Sequence, residues 1–162
     1  MRHLKNQEEE EDAEKFIAVA AAVARKATCV RARCGSIVVS DGEIIGKGFN
    51  SPAGHLESQR RCDFPKEGLH RKVTDKTCCI HAEQRAIFDA LKNAPDKIEG
   101  ATLYFTRIGK EDHMEKSGKP YCTICSKSAL DIGIKEFVLW HEDGICAYDT
   151  AEYNLLSFDY QE

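Results

Sequence analysis

No apolar run in the 162 residues approaches the roughly 20 that a membrane helix needs, so no membrane partner is expected. The first twelve residues, Met1 to Asp12, hold no hydrophobic segment of the kind that directs secretion. A positive surplus is missing too: 23 Lys and Arg face 27 Asp and Glu, a formal net charge of −4. A chain of that sign is not built to coat nucleic acid, and no nucleic-acid partner is expected. No internal repeat is evident, and the length suits one domain with one core.

Cysteine, by contrast, is plentiful. There are eight: Cys29, Cys34, Cys62, Cys78, Cys79, Cys122, Cys125 and Cys146. Without a secretion signal the chain is expected in the reducing cytoplasm, where cysteines clustered with histidines point to metal more than to disulfides. Cys29 and Cys146 read as plain buried thiols.

Glu8 to Asp12 reads as part of a solvated acidic tail, 1–12, with 13–162 as one domain. Ala13 to Thr28 carries Phe16, Ile17, Ala20 and Val23 on a helical stripe. Ser36 to Val39, the turn pair Asp41-Gly42, and Glu43 to Gly46 read as a hairpin. His81 to Leu91 is helical and stops before Pro95. Ala101 to Thr106 is a strand, Cys122 to Ile132 a helix ended by Gly133, and Lys135 to Trp140 a strand. A short strand at Ile145 to Tyr148 and a helix near Tyr153 close the chain. Helices interleaved with strands imply a layered α/β sandwich, and the opening hairpin makes its sheet mixed.

Two short segments carry the chemistry. His81-Ala82-Glu83 opens one helix and Cys122-Thr123-Ile124-Cys125 opens another. The two-residue gap puts both sulfurs on one side of a first helical turn. The free N–H groups and dipole there favour thiolates, the form that binds metal. One imidazole and two thiolates leave the fourth tetrahedral position of a catalytic zinc open. Such an ion makes hydroxide available near neutral pH. Glu83, close by but not a ligand, can take the water proton and deliver it to a ring nitrogen and to leaving ammonia. His-x-Glu followed by Cys-x-x-Cys is similar to the signature of zinc deaminases, and that resemblance implies hydrolysis of an exocyclic amine. The bland alternative is a histidine packed at a helix end plus a redox or structural cysteine pair.

The chain resembles the deoxycytidylate branch of the zinc-dependent cytidine/deoxycytidylate deaminase superfamily. The matching stretches are Gly35 to Val39, Gly48-Phe49-Asn50, His81 to Ile87, Leu103 to Thr106 and Gly133 to Val138, within a similarity running from about Phe16 to Trp140. A histidine in the first ligand position and Gln84 before Ala86-Ile87 look like that branch. The resemblance implies a cytidine deaminase-like, three-layer α/β/α sandwich with a mixed sheet of about five strands. It also implies dCMP as substrate, dUMP and ammonia as products, and a homo-oligomer. Asn50 would bind a sugar hydroxyl, the backbone at Ala82 the pyrimidine carbonyl, and Arg31 and Arg33 a substrate phosphate. Some relatives hold a second, structural zinc in the loop before the catalytic helix, where this chain has His55, Cys62, His70, Cys78 and Cys79. A closed metal site would order a loop that lacks apolar material.

The chain departs from the family in three places. Tyr121 stands where proline usually precedes the first cysteine, with Pro120 one residue earlier. Arg107 to Lys119 is inserted beside the site. Cys34 replaces an apolar residue. Two alternatives stay open: the same chemistry on cytidine, a free base, a guanine-like base or an RNA adenosine, and a non-catalytic zinc or nucleotide-sensing module.

Overall fold

The computed structural model describes residues 1–161. Its elements follow the hydrophobic pattern closely. The strands are β1 (Arg2–His3), β2 (Arg33–Ser40), β3 (Glu43–Phe49), β4 (Ser51–Pro52), β5 (Cys79–Ile80), β6 (Thr102–Ile108), β7 (Met114–Glu115), β8 (Glu136–His141) and β9 (Gly144–Asp149). The helices are α1 (Gln7–Ala24), α2 (Ala82–Asn93), α3 (Thr123–Asp131) and α4 (Thr150–Phe158). Asp41 and Gly42, with φ of 49° and 76°, make the positive-φ turn that a two-residue hairpin connection demands.

The main sheet runs β1-β9-β8-β6-β2-β3, with β7 also on β6. Among the described residues, only β6 and β8 pair in parallel. A parallel pair needs a crossover, and α3 lies on it. The five long strands are those expected from the sequence, and β1 and β7 are two-residue additions.

Strand alternation sorts side chains between two faces. Ile37, Val39, Val138, Ile145 and Ala147 face α1, packing with Ala13, Ile17, Ala20 and Val23. Val38, Leu103, Phe137, Leu139, Cys146 and Tyr148 face the other way, against Ala86, Ile87, Ala90, Ala129 and Tyr153 of α2, α3 and α4. The result is the three-layer α/β/α sandwich. Tyr153 anchors α4 by stacking on Phe137, with ring centroids 4.1 Å apart. Close approach of α2 to the sheet depends on glycine. A Cβ on Gly48 would strike the Ala82 carbonyl and the Ala86 amide.

The acidic segment is not a frayed tail. Asn6 caps α1 by accepting from the Glu8 N–H (3.1 Å), and Glu8, Glu9 and Glu10 occupy its first turn, where the dipole favours them. Ahead of it, Arg2 and His3 pair with Ala147 and Cys146 of β9. No helix among the described residues is long and apolar enough to cross a membrane.

Candidate metal centre and active site

Two helix N-termini meet at one point. His81 is the N-cap of α2 and Cys122 the N-cap of α3. The Gln84 side chain accepts from the His81 backbone N–H (3.2 Å), fixing the residue that carries the imidazole. This positioning role of Gln84 was not read from the sequence, although the spacing of a capping box shows it. His81 Nδ1 lies 3.2 Å from Cys122 Sγ and 3.3 Å from Cys125 Sγ. The two sulfurs are 3.0 Å apart. All three donors are within 4.8 Å of one another. Tetrahedral zinc with bonds of about 2.0–2.3 Å sets its donors roughly 3.6–3.8 Å apart, so the trio fits the ion after a small opening.

The electrostatics agree with that donor set. The hydrogen bond between Cys122 and Cys125, together with His81, pulls the Cys122 thiol far below its ordinary range. The same hydrogen bond, helped by burial, raises Cys125. Cys122 in turn raises His81 to about 9. Glu83 is buried, and burial followed by the Cys122 charge pushes its carboxyl up to about 7. A carboxyl poised there can both take and give a proton at neutral pH.

The residues expected to meet substrate divide into two groups. Asn50 is buried, with Nδ2 donating to the Ala32 carbonyl (2.8 Å) and Oδ1 accepting from the Cys34 N–H (2.9 Å). One amide hydrogen is left for a ligand. Ala82 opens α2, where backbone N–H groups lack intrahelical acceptors. Asn50 and His81 line one cavity together with Arg31. Arg33 does not join them: it donates to the Gly109 carbonyl (2.7 Å) and pairs with Asp112 (2.6 Å).

Those Arg33 partners belong to the insertion, which is an ordered hairpin. Arg107 and Ile108 of β6 pair with Glu115 and Met114 of β7. Arg107 and Glu115 also form an ion pair (2.8 Å). The Ser117 N–H donates to the Trp140 carbonyl (2.7 Å), and Lys116 Nζ sits 3.3 Å over the Trp140 ring. Tyr121 is more than half exposed and leans on Tyr160 (5.7 Å between centroids). Burial holds the Cys34 thiol protonated.

A second thiol cluster forms where the loop between β4 and β5 meets the segment before β2, but with a different membership from the expected one. Cys62 Sγ is 3.6 Å from Cys78 Sγ, which is 3.9 Å from Cys79 Sγ. Cys29, expected to be a plain thiol, lies with Cys62 and Cys79, all sulfurs within 4.8 Å. The two histidines stand apart from this group. His55 contacts Ser51 Oγ (3.0 Å) and Arg85 Nη1 (3.0 Å). His70 is exposed, and its Nδ1 accepts from the Lys72 N–H (3.2 Å). Four cysteines suit closed, structural zinc. Cys146 is buried in the core as expected.

Comparison with known proteins agrees with this architecture. The fold is shared with a cytidine deaminase from Burkholderia pseudomallei (TM-score 0.56, 18% identity, 86% of this chain and 94% of that one). It is also shared with the apo dCMP deaminase of cyanophage S-TIM5 (TM-score 0.52, 25% identity, 78% of this chain and 80% of that one). Residues 10–141 match the model of the cytidine and deoxycytidylate deaminase zinc-binding region, and the chain belongs to that family. A deoxycytidylate deaminase of Mycobacterium phage D29 is 33% identical over 100 residues, covering 58% of this chain and 76% of that one. The deoxycytidylate deaminase of Saccharomyces cerevisiae is 28% identical over 127 residues, 76% of this chain but only 35% of that one. The chain thus spans about a third of the yeast relative's length.

Proposed function

We propose that this chain hydrolyses the exocyclic amine of a cytosine nucleotide, dCMP, giving dUMP and ammonia, with residues 13–162 acting as one deaminase domain. The observation that carries this reading is the meeting of His81, Cys122 and Cys125 beside buried Glu83. Relatives named deoxycytidylate deaminase support the choice of substrate.

His81, Cys122 and Cys125 hold the ion. Zinc bound there supplies Lewis acidity and makes hydroxide available near neutral pH. Glu83 accepts one proton of the attacking water and passes it to the ring nitrogen, then takes the remaining proton from the new C4 hydroxyl and gives it to the departing amine. The C4–O bond forms first, as the ring nitrogen is protonated, and the C4–N bond breaks afterwards, as the amine is protonated, so one water enters and one ammonia leaves. Asn50 and the backbone at Ala82 orient the sugar and the pyrimidine carbonyl, and Arg31 lies towards the phosphate.

Zinc-loaded protein incubated with dCMP is expected to yield dUMP and ammonia in equal amounts. Cytidine, cytosine, guanine and an RNA adenosine complete the panel. Glu83→Gln keeps its zinc and loses about 10²- to 10⁴-fold in kcat. No ammonia from any of these substrates at full zinc occupancy would overturn the reading in favour of a non-catalytic zinc module.

The proposal includes a second, structural zinc on Cys29, Cys62, Cys78 and Cys79, in place of the histidine-containing set. The thiols are all free, which suits a cytoplasmic protein. Exposed Phe88 and Leu91 on α2, and Leu155 and Phe158 on α4, give apolar surface for self-association. Light scattering on the eluting protein reads the resulting homo-oligomer.

A further inference from the structure

Asn50 stands at a seam. The β2–β3 ladder ends at Gly35 and Phe49, and Ser51 and Pro52 pair instead with Ile80 and Cys79 of β5. Asn50 falls between the two ladders, and its backbone N–H reaches the Cys34 carbonyl at 3.3 Å. The residues that follow it are gripped from α2. Arg85 Nη2 donates to the carbonyls of Ser51 (3.2 Å) and Pro52 (2.8 Å), and Nη1 donates to His55 Nε2 (3.0 Å). A guanidinium can only donate. Nε2 is therefore the acceptor, and the ring proton sits on Nδ1, facing Ser51 Oγ (3.0 Å).

Arg85 makes these contacts at a cost. Its Nε is buried without a partner among the described residues, and burial disfavours its charge. His55 takes a left-handed φ of 58°, uncommon for a residue with a side chain. Arg85 lies in the turn of α2 that His81 caps. The helix end that carries the metal ligand, Glu83 and the Ala82 backbone thus also grips the strand next to Asn50. One turn further on, Asp89 Oδ2 accepts from the Lys47 N–H (2.9 Å), but β2 already fixes Lys47 through its pairing with Ile37. We infer that Arg85, with His55 as its acceptor, is a positioning residue: it holds the backbone beside Asn50 so that the remaining amide hydrogen of Asn50 meets a sugar hydroxyl of the substrate. This rests on the cytosine-nucleotide reading above. Arg85 acts through Asn50 and touches no reacting atom.

The test uses the full chain loaded with zinc and two pairs of nucleotides. Turnover is compared on dCMP and its 2′,3′-dideoxy analogue, which lacks the sugar hydroxyl. Binding is compared by calorimetry on dUMP and its 2′,3′-dideoxy analogue. The wild type is expected to favour the hydroxyl-bearing member of each pair by about three- to tenfold, the worth of one hydrogen bond. Arg85→Met keeps an apolar stem without the donors and should lose most of that preference, with KM for dCMP raised and kcat held. His55→Phe keeps a ring against Phe49 (5.5 Å between centroids) but removes the acceptor, and should move the preference the same way by less. It carries the test where Arg85→Met does not fold. Arg85→Lys reaches a carbonyl but cannot span all three acceptors, and should recover part of the preference. Asp89→Ala loosens the same helix from the same strand and should keep all of it. A merely structural role would weaken both members of a pair alike. An unchanged preference in Arg85→Met and His55→Phe would overturn the proposal, as would an equal loss in Asp89→Ala. Wild-type protein with no preference in either pair also refutes it and leaves the deaminase reading standing. Wild-type protein that discriminates the dUMP pair yet releases no ammonia refutes that reading, and binding by the variants then decides the role of Arg85.

Discussion

Replacing Gly48 with alanine tests whether the candidate metal centre depends on how closely α2 lies against the sheet. The added Cβ would strike the Ala82 carbonyl and the Ala86 amide, with the Arg85 Cβ also in the way. The two backbone groups are hydrogen-bond partners across the first turn of α2, so no rotamer change relieves the clash. The helix start must move by something on the order of an ångström. Overpacking of this kind costs about 1–3 kcal/mol, and rigid backbone neighbours place Gly48→Ala near 3. In a domain of this size each kcal/mol lowers Tm by about 2–4 °C, so the expected drop is about 6–12 °C. The displacement falls on His81, which directly precedes Ala82 and sits 3.2 and 3.3 Å from the two sulfurs. Loss of that support should weaken zinc binding by about 10- to 100-fold. Thermal unfolding and competition with a chromophoric chelator measure the two effects. Gly118→Ala is the control, because nothing lies within 4 Å of its added Cβ. A Gly48→Ala protein melting within about 1 °C of wild type, with unchanged zinc affinity, would refute the reasoning.

Zinc binding at His81, Cys122 and Cys125, followed in the Cys62→Ser/Cys78→Ser protein, should release about two protons near pH 7, because His81 and Cys125 hold theirs in the metal-free chain while Cys122 is already a thiolate. The zinc-bound form carries fewer protons, so apparent affinity rises with pH, and the slope eases as pH passes about 9, where His81 deprotonates unaided. Calorimetry in buffers of different ionisation enthalpy counts the protons, and release of fewer than about one would contradict the charge assignment. Cys62→Ser/Cys78→Ser should lower the metal content from two zincs per chain to one; a wild-type content of one would remove the second site. Arg33→Gln should cost less than about 1 kcal/mol in stability, since its partner Asp112 is exposed. It should still raise amide exchange across 109–115 severalfold. Unchanged exchange there would show that the β6–β7 ladder alone holds the hairpin.

Much of this was legible because the relevant signals are local. The 3.6-residue stripe of α1, the Asp41-Gly42 turn and the helix starts at His81 and Cys122 depend on neighbours within a few residues. The same locality explains the misses. Cys29 meets Cys62 and Cys79 only because the chain folds back, and no spacing rule links positions that distant. His55 looked like a ligand, but Ser51 and Arg85 engage both of its ring nitrogens. Arg31 and Arg33 look equivalent in sequence, yet the partner that separates them, Asp112, lies in the insertion. Glu8 to Asp12 looked like a solvated tail because its charge outweighed the cap at Asn6, a residue that satisfies the helix start without any apolar signal.

The inserted hairpin leaves the sheet at Ile108 and the chain re-enters regular structure at Cys122, the cap of α3. Both ends of the excursion are fixed, one by pairing of β6 with β2 and the other by helix capping. Everything between can therefore lengthen, shorten or change composition while His81, Cys122, Cys125 and Glu83 keep their places. The fold separates a part that must be inherited intact from a part free to diverge. Changes of length and composition should accumulate in 109–119 first, with the chemistry beneath them unchanged.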